Sequence, residues 1–329
     1  MSNLPAKPGK KWLFPPTKKS DADLQLIRAA AEKQAPSTFF LNVRRRAENT
    51  YNRLLNRVLK WIDDTVMKCT NPADLPRLMQ SIINSPRFDR LCRQAAQQMA
   101  TMLAVGQKAS WREAARASSQ GRRIYKALMK ELNTTPIGPT ISATVEANAK
   151  LIKTVPQTMA KKFSALAKQR RFEGVRHEDI MQEIQAKAPH LREFEAKRIA
   201  RTESAKASTA LIQARAESWG LNWYKWASVN DERTRDAHRA ISGIYCQWSD
   251  PPNPEAMFGG HNSGGNYHPG CIYNCRCQAR PVLDIEDIKF PARFHVSGHI
   301  ETINSRKAFE ERFSISNTKG AESGNEADK

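Results

Sequence analysis

The ten residues His268-Pro269-Gly270-Cys271-Ile272-Tyr273-Asn274-Cys275-Arg276-Cys277 constrain the fold more than any other stretch of this chain. They hold three of its six cysteines and one of its seven histidines. His238 offers a further imidazole thirty residues upstream. Soft ligands this close together read as a metal-pinned corner of a small domain. A tetrahedral zinc needs four N or S donors, and a structural site leaves no position open. His238, His268, Cys271, Cys275 and Cys277 are five donors, so at least one must be a spectator. On spacing alone three alternatives stand: a structural metal, a reduced metal-free corner held by hydrogen bonds, and a catalytic metal. No His-Glu-x-x-His helix is present to favour the third.

The cysteines are expected to stay reduced. The Lys- and Pro-rich N-terminus has no secretory hydrophobic core, and clustered thiols in a reducing compartment more often bind metal than pair. No apolar run approaches the roughly 20 residues that span a bilayer. Cys69 and Cys92 sit alone in helical patterns and are expected to be buried small hydrophobes.

Charge separates the chain into two parts. Residues 1–230 carry 41 Lys/Arg against 19 Asp/Glu, whereas residues 231–300 carry seven against eight. The anion-facing surface is therefore expected in the N-terminal two-thirds, and the cysteine corner does not read as a DNA-gripping finger. Residues 1–36 read as an extended basic arm that includes Lys10 and Lys11. From Ser37 an apolar stripe (Phe40, Val43, Ala47, Tyr51, Leu54, Val58, Ile62, Val66) predicts a helix that Asn71-Pro72 ends. Arg44, Arg45, Arg46, Arg53 and Arg57 decorate that helix and, with Lys10 and Lys11, are the expected DNA contacts. Double-stranded DNA bound this way should be released steeply by salt.

Further helices are expected near 73–84, 87–108, 110–132, 140–153, 156–170 and 178–187, with breaks at the intervening prolines and glycines. A long Ala-rich helix should run from about His190 to Trp219 and stop at Gly220. Strands are expected at 221–227, 243–248 and 278–283, with a helical turn near 231–240. The fold class is thus a mainly α N-terminal region followed by a small α+β domain stapled by a Cys/His metal site. The divisions are the arm at 1–36, a helical region at 37–140, a module at 141–290 and a partly disordered tail at 291–329.

Several ordered motifs carry a resemblance. Ile199-Ala200-Arg201-Thr202-Glu203, Lys225-Trp226, Asp231-x-Arg233-Thr234-Arg235-x-x-His238, His268-Pro269 and Asn274-Cys275-Arg276-Cys277 follow one another in that order. The succession resembles the phage Mu F-like head-morphogenesis family of minor capsid proteins over about residues 145–285. The resemblance implies a low-copy internal head protein that works with the portal, major capsid or scaffold protein and contacts packaged DNA. It implies no small-molecule substrate, a place in the virion near the portal vertex, and host cytoplasm during assembly. It also implies a zinc ligand set of His238, His268, Cys275 and Cys277. The insert Gly270–Tyr273 brings in Cys271 as an alternative to His268.

Arg201, Glu203, Trp226, Asp231, Arg233 and Arg235 are expected to be structural. In this reading Asp231 caps a turn and the arginines bond loop carbonyls around the cysteines. The competing reading pairs Asp231 with His238 as acid and base in a metal-dependent nuclease or other hydrolase. A free DNA-binding regulator is disfavoured by the lack of a helix-turn-helix signature.

Overall fold

A computed structural model of the chain describes residues 37–116, 126, 128, 137–260 and 265–313. The arm with Lys10 and Lys11, and the end of the tail from residue 314, lie outside the described residues.

Helix α1 spans Ser37–Lys68, α2 Leu75–Asn84, α3 Pro86–Arg116, α4 Gly138–Phe172 and α5 His177–Ser218. A 3-10 turn at Pro72–Asp74 links α1 to α2, and the Asn71 side chain caps it by accepting from the Ala73 N–H at 3.0 Å. The apolar stripe of α1 is a core face at Phe40, Ala47, Tyr51, Val58, Ile62 and Val66, which are buried; Val43 and Leu54 are only partly so, and Leu55 and Leu59 join the core beside them. It packs on α3 and α5, while α4 closes the bundle against α2, α3 and α5. Gly174, at φ +78°, turns the chain sharply between α4 and α5. Cys69 and Cys92 are buried, and burial pushes the Cys92 thiol up to about 12.

Three expected breaks are absent: α3 runs unbroken through residue 109, and two prolines fail to end their helices. Pro156 lies inside α4 and Pro189 inside α5, so four expected helices merge into two. A proline inside a helix costs about 3 kcal/mol. Each is flanked by apolar faces that bury completely (Ile152, Val155, Met159 and Phe163; Ile184, Ala188, Ala196 and Ile199), and that burial outweighs the lost hydrogen bond.

Beyond α5 the chain builds one mixed sheet. Strand β1 is Trp223–Ala227, β2 Tyr245–Gln247, β3 Gln278–Pro281, β4 Ala292–Val296 and β5 His299–Ile303, in the order β3-β1-β2-β4-β5. Only the β2–β4 pairing is parallel. Short helices α6 (Asp236–Ala240) and α7 (Pro254–Phe258) sit in the connections, and α8 (Arg306–Arg312) follows β5. Tyr224, Trp226 and Cys246 share a core with Ile212 and Ala216 of α5 on one face. Trp223, Tyr245, Phe294 and Phe309 form a second core on the other.

Residues 291–313 therefore correct the expected tail. They form a hairpin and a helix that complete the sheet, with Phe309 of α8 fully buried. The hairpin turns on Ser297 (φ +48°) and Gly298 (φ +89°), the two-residue geometry that suits strand twist.

Candidate metal centre

His238, Cys275 and Cys277 meet in one buried cluster. His238 comes from α6, and the two cysteines from the loop entering β3. His238 Nδ1 lies 3.5 Å from Cys275 Sγ and 3.4 Å from Cys277 Sγ. A tetrahedral zinc with bonds of about 2.3 Å to sulfur and 2.0 Å to nitrogen holds those atoms roughly 3.5 Å apart. The donor set and its spacing fit such an ion.

The imidazole is oriented from its far side. Nε2 lies 2.8 Å from the Tyr267 hydroxyl and 3.3 Å from Glu255 Oε1. Tyr267 donates its own proton to Glu255, so it accepts from the Nε2–H, and Nδ1 is left facing the sulfurs. A carboxylate behind a ligating histidine fixes its tautomer and raises its basicity. The Trp226 ring, edge-on and 5.7 Å from the His238 ring centroid, closes the cluster from the sheet side.

The two thiols are not equivalent. A hydrogen bond from Cys277 holds the Cys275 thiol well below its usual range, aided by His238 and the Cys277 backbone N–H against the opposing effect of burial. Cys277 is pushed up by the same partnership and by burial. Its sulfur lies 3.3 Å from the Ser228 hydroxyl, which donates to the His238 carbonyl.

Two expected ligands are elsewhere. His268 Nδ1 is 3.1 Å from the Tyr224 hydroxyl, its ring sits 5.3 Å from that of Trp248, and burial pushes its pKa down to about 4. Cys271 is likewise outside the cluster, and burial pushes its thiol up to about 12. Gly270 at φ +87° turns the chain between His268 and the cysteines, which sends the imidazole to a different place from the sulfurs. A Cβ there would lie 3.2 Å from Thr209 Oγ1 and 3.3 Å from the Cys277 carbonyl oxygen. Gly270→Ala is expected to cost about 1–3 kcal/mol in urea unfolding; an unchanged midpoint would show that the loop relaxes freely.

The loop is fastened to the helices. Thr209 of α5 donates to the Pro269 carbonyl at 2.7 Å, and Thr202 accepts from the Asn274 N–H at 3.3 Å. Arg44 of α1 donates to the carbonyls of Cys277 (2.8 Å) and Arg276 (2.7 Å). It is 4% exposed, so its reading as a DNA contact is corrected: its cation is spent inside the protein. Burial lowers its pKa, and the charge of Cys275 is the first effect that opposes it.

The remaining motif residues take these positions. Asp231 forms an ion pair with Arg276 and accepts from the Thr234 hydroxyl (3.0 Å) and the Arg233 N–H (3.1 Å). The Arg276 bond holds its carboxyl down at about 2. Asp231 thus caps the turn and ties it to the cysteine loop; the carboxylate beside His238 is Glu255. Arg235 donates to the Tyr273 carbonyl at 2.9 Å, whereas Arg233 is exposed and only its backbone joins the turn. Arg201 pairs with Glu48 of α1 at 3.4 Å, and Glu203 with Lys206 at 2.9 Å. Arg45, Arg46, Arg53 and Arg57 all lie exposed on α1.

Glu255, Tyr267, Ser228 and the brace from Arg44 have no counterpart in the sequence reading. Tyr267 adjoins the cysteine-rich run, but nothing in its spacing announces a bond to His238.

The site therefore defines a class: a small mixed sheet docked on a helical bundle, with a buried His/Cys/Cys corner at the junction. Residues 143–280 match the family model described as "Phage Mu protein F like protein". The matched segment runs from α4 through β3 and contains all three clustered donors. A protein of Haemophilus influenzae (strain ATCC 51907 / DSM 11121 / KW20 / Rd), named "Uncharacterized protein", is 31% identical over 152 residues. That alignment covers 46% of this chain and 31% of the relative, so the chain spans about a third of the relative's length. No solved structure matches.

Proposed function

We propose that this chain is a minor head protein of a phage, a low-copy internal component that acts in head assembly with the portal and touches packaged DNA. The family match over residues 143–280 carries this reading. The structure of the corner supports a building role. All three donors are buried, and the loop that bears two of them is clamped by α1 and α5. In this reading His238, Cys275 and Cys277 supply three of the four donors to a zinc ion that stabilises the junction between helices and sheet. No helix among the described residues is long and apolar enough to cross a membrane. Mass spectrometry of purified procapsids and mature particles tests the assignment: a few copies per portal are expected, and absence from both would defeat it.

The DNA contact falls to the exposed face of α1. Arg46, Arg53 and Arg57 recur at helical spacing on it, with Arg45 alongside. Replacing these four by Gln should weaken non-specific duplex binding. It should also flatten the log–log salt slope by about 0.9 for each phosphate that is no longer neutralised. Filter binding across a salt series gives the slope; an unaltered slope would remove α1 from the DNA interface.

One observation favours a second reading, a metal-dependent hydrolase. A cavity of about 120 Å³ adjoins the cluster and is lined by Arg233, Arg235 and Arg276. Three protein donors beside an open space is the arrangement of a catalytic zinc. Metal-dependent cleavage of DNA that vanishes in His238→Ala, with the fold intact by circular dichroism, would install this reading in place of the first.

A further inference from the structure

A second, larger cavity of about 500 Å³, lined by none of the three clustered donors, lies where α3 meets strands β1, β2 and β3. Its walls are apolar, with Trp111 of α3, Tyr245 of β2, Leu283 and Ile288 among them. That volume is typical of a ligand site. Its charge is lopsided: among the described residues Lys225, Arg280, Lys289 and Arg293 line it, against one carboxylate, that of Asp287.

Lys225 and Arg280 are direct cross-strand partners in the β1–β3 register. Like charges opposite one another destabilise a sheet. Neither has an ion-pair partner among the described residues, and Arg280 Nε is buried without a hydrogen bond. The ammonium of Lys225 rests instead 5.1 Å from the Tyr245 ring centroid. Burial lowers the pKa of both groups, and Arg280 adds to the effect on Lys225. Two facing cations at an apolar cavity are an unfavourable arrangement unless an anion completes it.

We propose that this cavity is a docking site for an acidic peptide segment of a protein partner, whose bulky apolar side chain fills the cavity while its carboxylates meet Lys225 and Arg280. The distribution of cations favours a peptide over a single-headed amphiphile. Lys289 and Arg293 are exposed and extend the positive charge outward from the half-buried pair. A duplex is disfavoured because its backbone is too broad to enter an apolar cavity of this size. The site shares no residue with the metal corner and stands whether or not a metal is bound there.

The test uses the full chain and a fluorescein-labelled decapeptide with one phenylalanine between runs of glutamate, followed by anisotropy. Saturable, salt-sensitive binding is expected. Arg280→Gln and Lys225→Met should each weaken it at least roughly tenfold, the effect of one lost charge-assisted hydrogen bond. The same variants should melt no lower than the wild type, since each removes a repulsion. The exposed pair Lys289→Gln and Arg293→Gln, which cannot disturb the core, should weaken binding several-fold. Absence of saturable binding overturns the proposal. So does unchanged affinity in Arg280→Gln, equal binding of a peptide with Gln for Glu, or preferential displacement by a thymidine oligonucleotide.

Discussion

Cys277→Ser should lower the stability of the protein by on the order of 4 kcal/mol or more, the scale of a lost metal ligand. The change is nearly isosteric and leaves Ser228, Cys275 and His238 in place, so packing contributes little. If the corner were only a set of hydrogen-bonded thiols, one weakened bond would cost about 1 kcal/mol. The two magnitudes are far enough apart to decide the matter. Urea unfolding followed by tryptophan fluorescence is the direct measurement, because Trp226 sits edge-on to His238 in the same buried cluster. The wild type should also release close to one equivalent of zinc when its thiols are titrated with a mercurial, and Cys277→Ser should release little. His268→Ala gives the contrast. It removes an imidazole held by Tyr224 and Trp248, so zinc content should stay the same while stability falls modestly. Loss of zinc in His268→Ala with retention in Cys277→Ser would refute the placement of the ligands.

His238, Cys275 and Cys277 are legible in the sequence because soft donors at short spacing have few other uses. His268 is misplaced by its spacing because nearness in sequence is not nearness in space: the turn at Gly270 separates it from the sulfurs. The stripe of α1 is legible because burial on one side imposes a 3.6-residue period. The continuity of the helices through Pro156 and Pro189 is not, since local cost is visible in sequence and the tertiary burial that offsets it is not. Strands β4 and β5 escape notice for a related reason. The link from β2 to β4 is a long parallel connection, and Tyr245 faces Phe294 across nearly fifty residues of intervening chain. The parts of the site that hold the corner in place are invisible on the same ground, for they come from residues far apart in the chain.

Arg44 is the sharpest instance, and Arg44→Met should cost about 3 kcal/mol. In sequence it is one of three consecutive arginines on a basic helix, indistinguishable from Arg45 and Arg46. In the fold those two are exposed, while Arg44 is buried and bonds two carbonyls more than 230 residues away. Hydrogen bonds from a charged donor contribute about 1.5–3 kcal/mol each, and the relieved desolvation of the guanidinium offsets part of the two that are removed. Methionine keeps most of the apolar stem, so the deficit belongs to the polar end. Arg44→Lys should recover only part of it, because a point-like ammonium lacks the planar fork that reaches both oxygens. The loss should fall on the junction of helices and sheet, so the cysteine loop should gain protease sensitivity before the bundle does. Duplex affinity at fixed salt should be unaffected by Arg44→Met and reduced by Arg53→Gln with Arg57→Gln. The opposite pattern, weaker DNA binding at full stability, would return Arg44 to the DNA-facing surface and detach α1 from the cysteine corner.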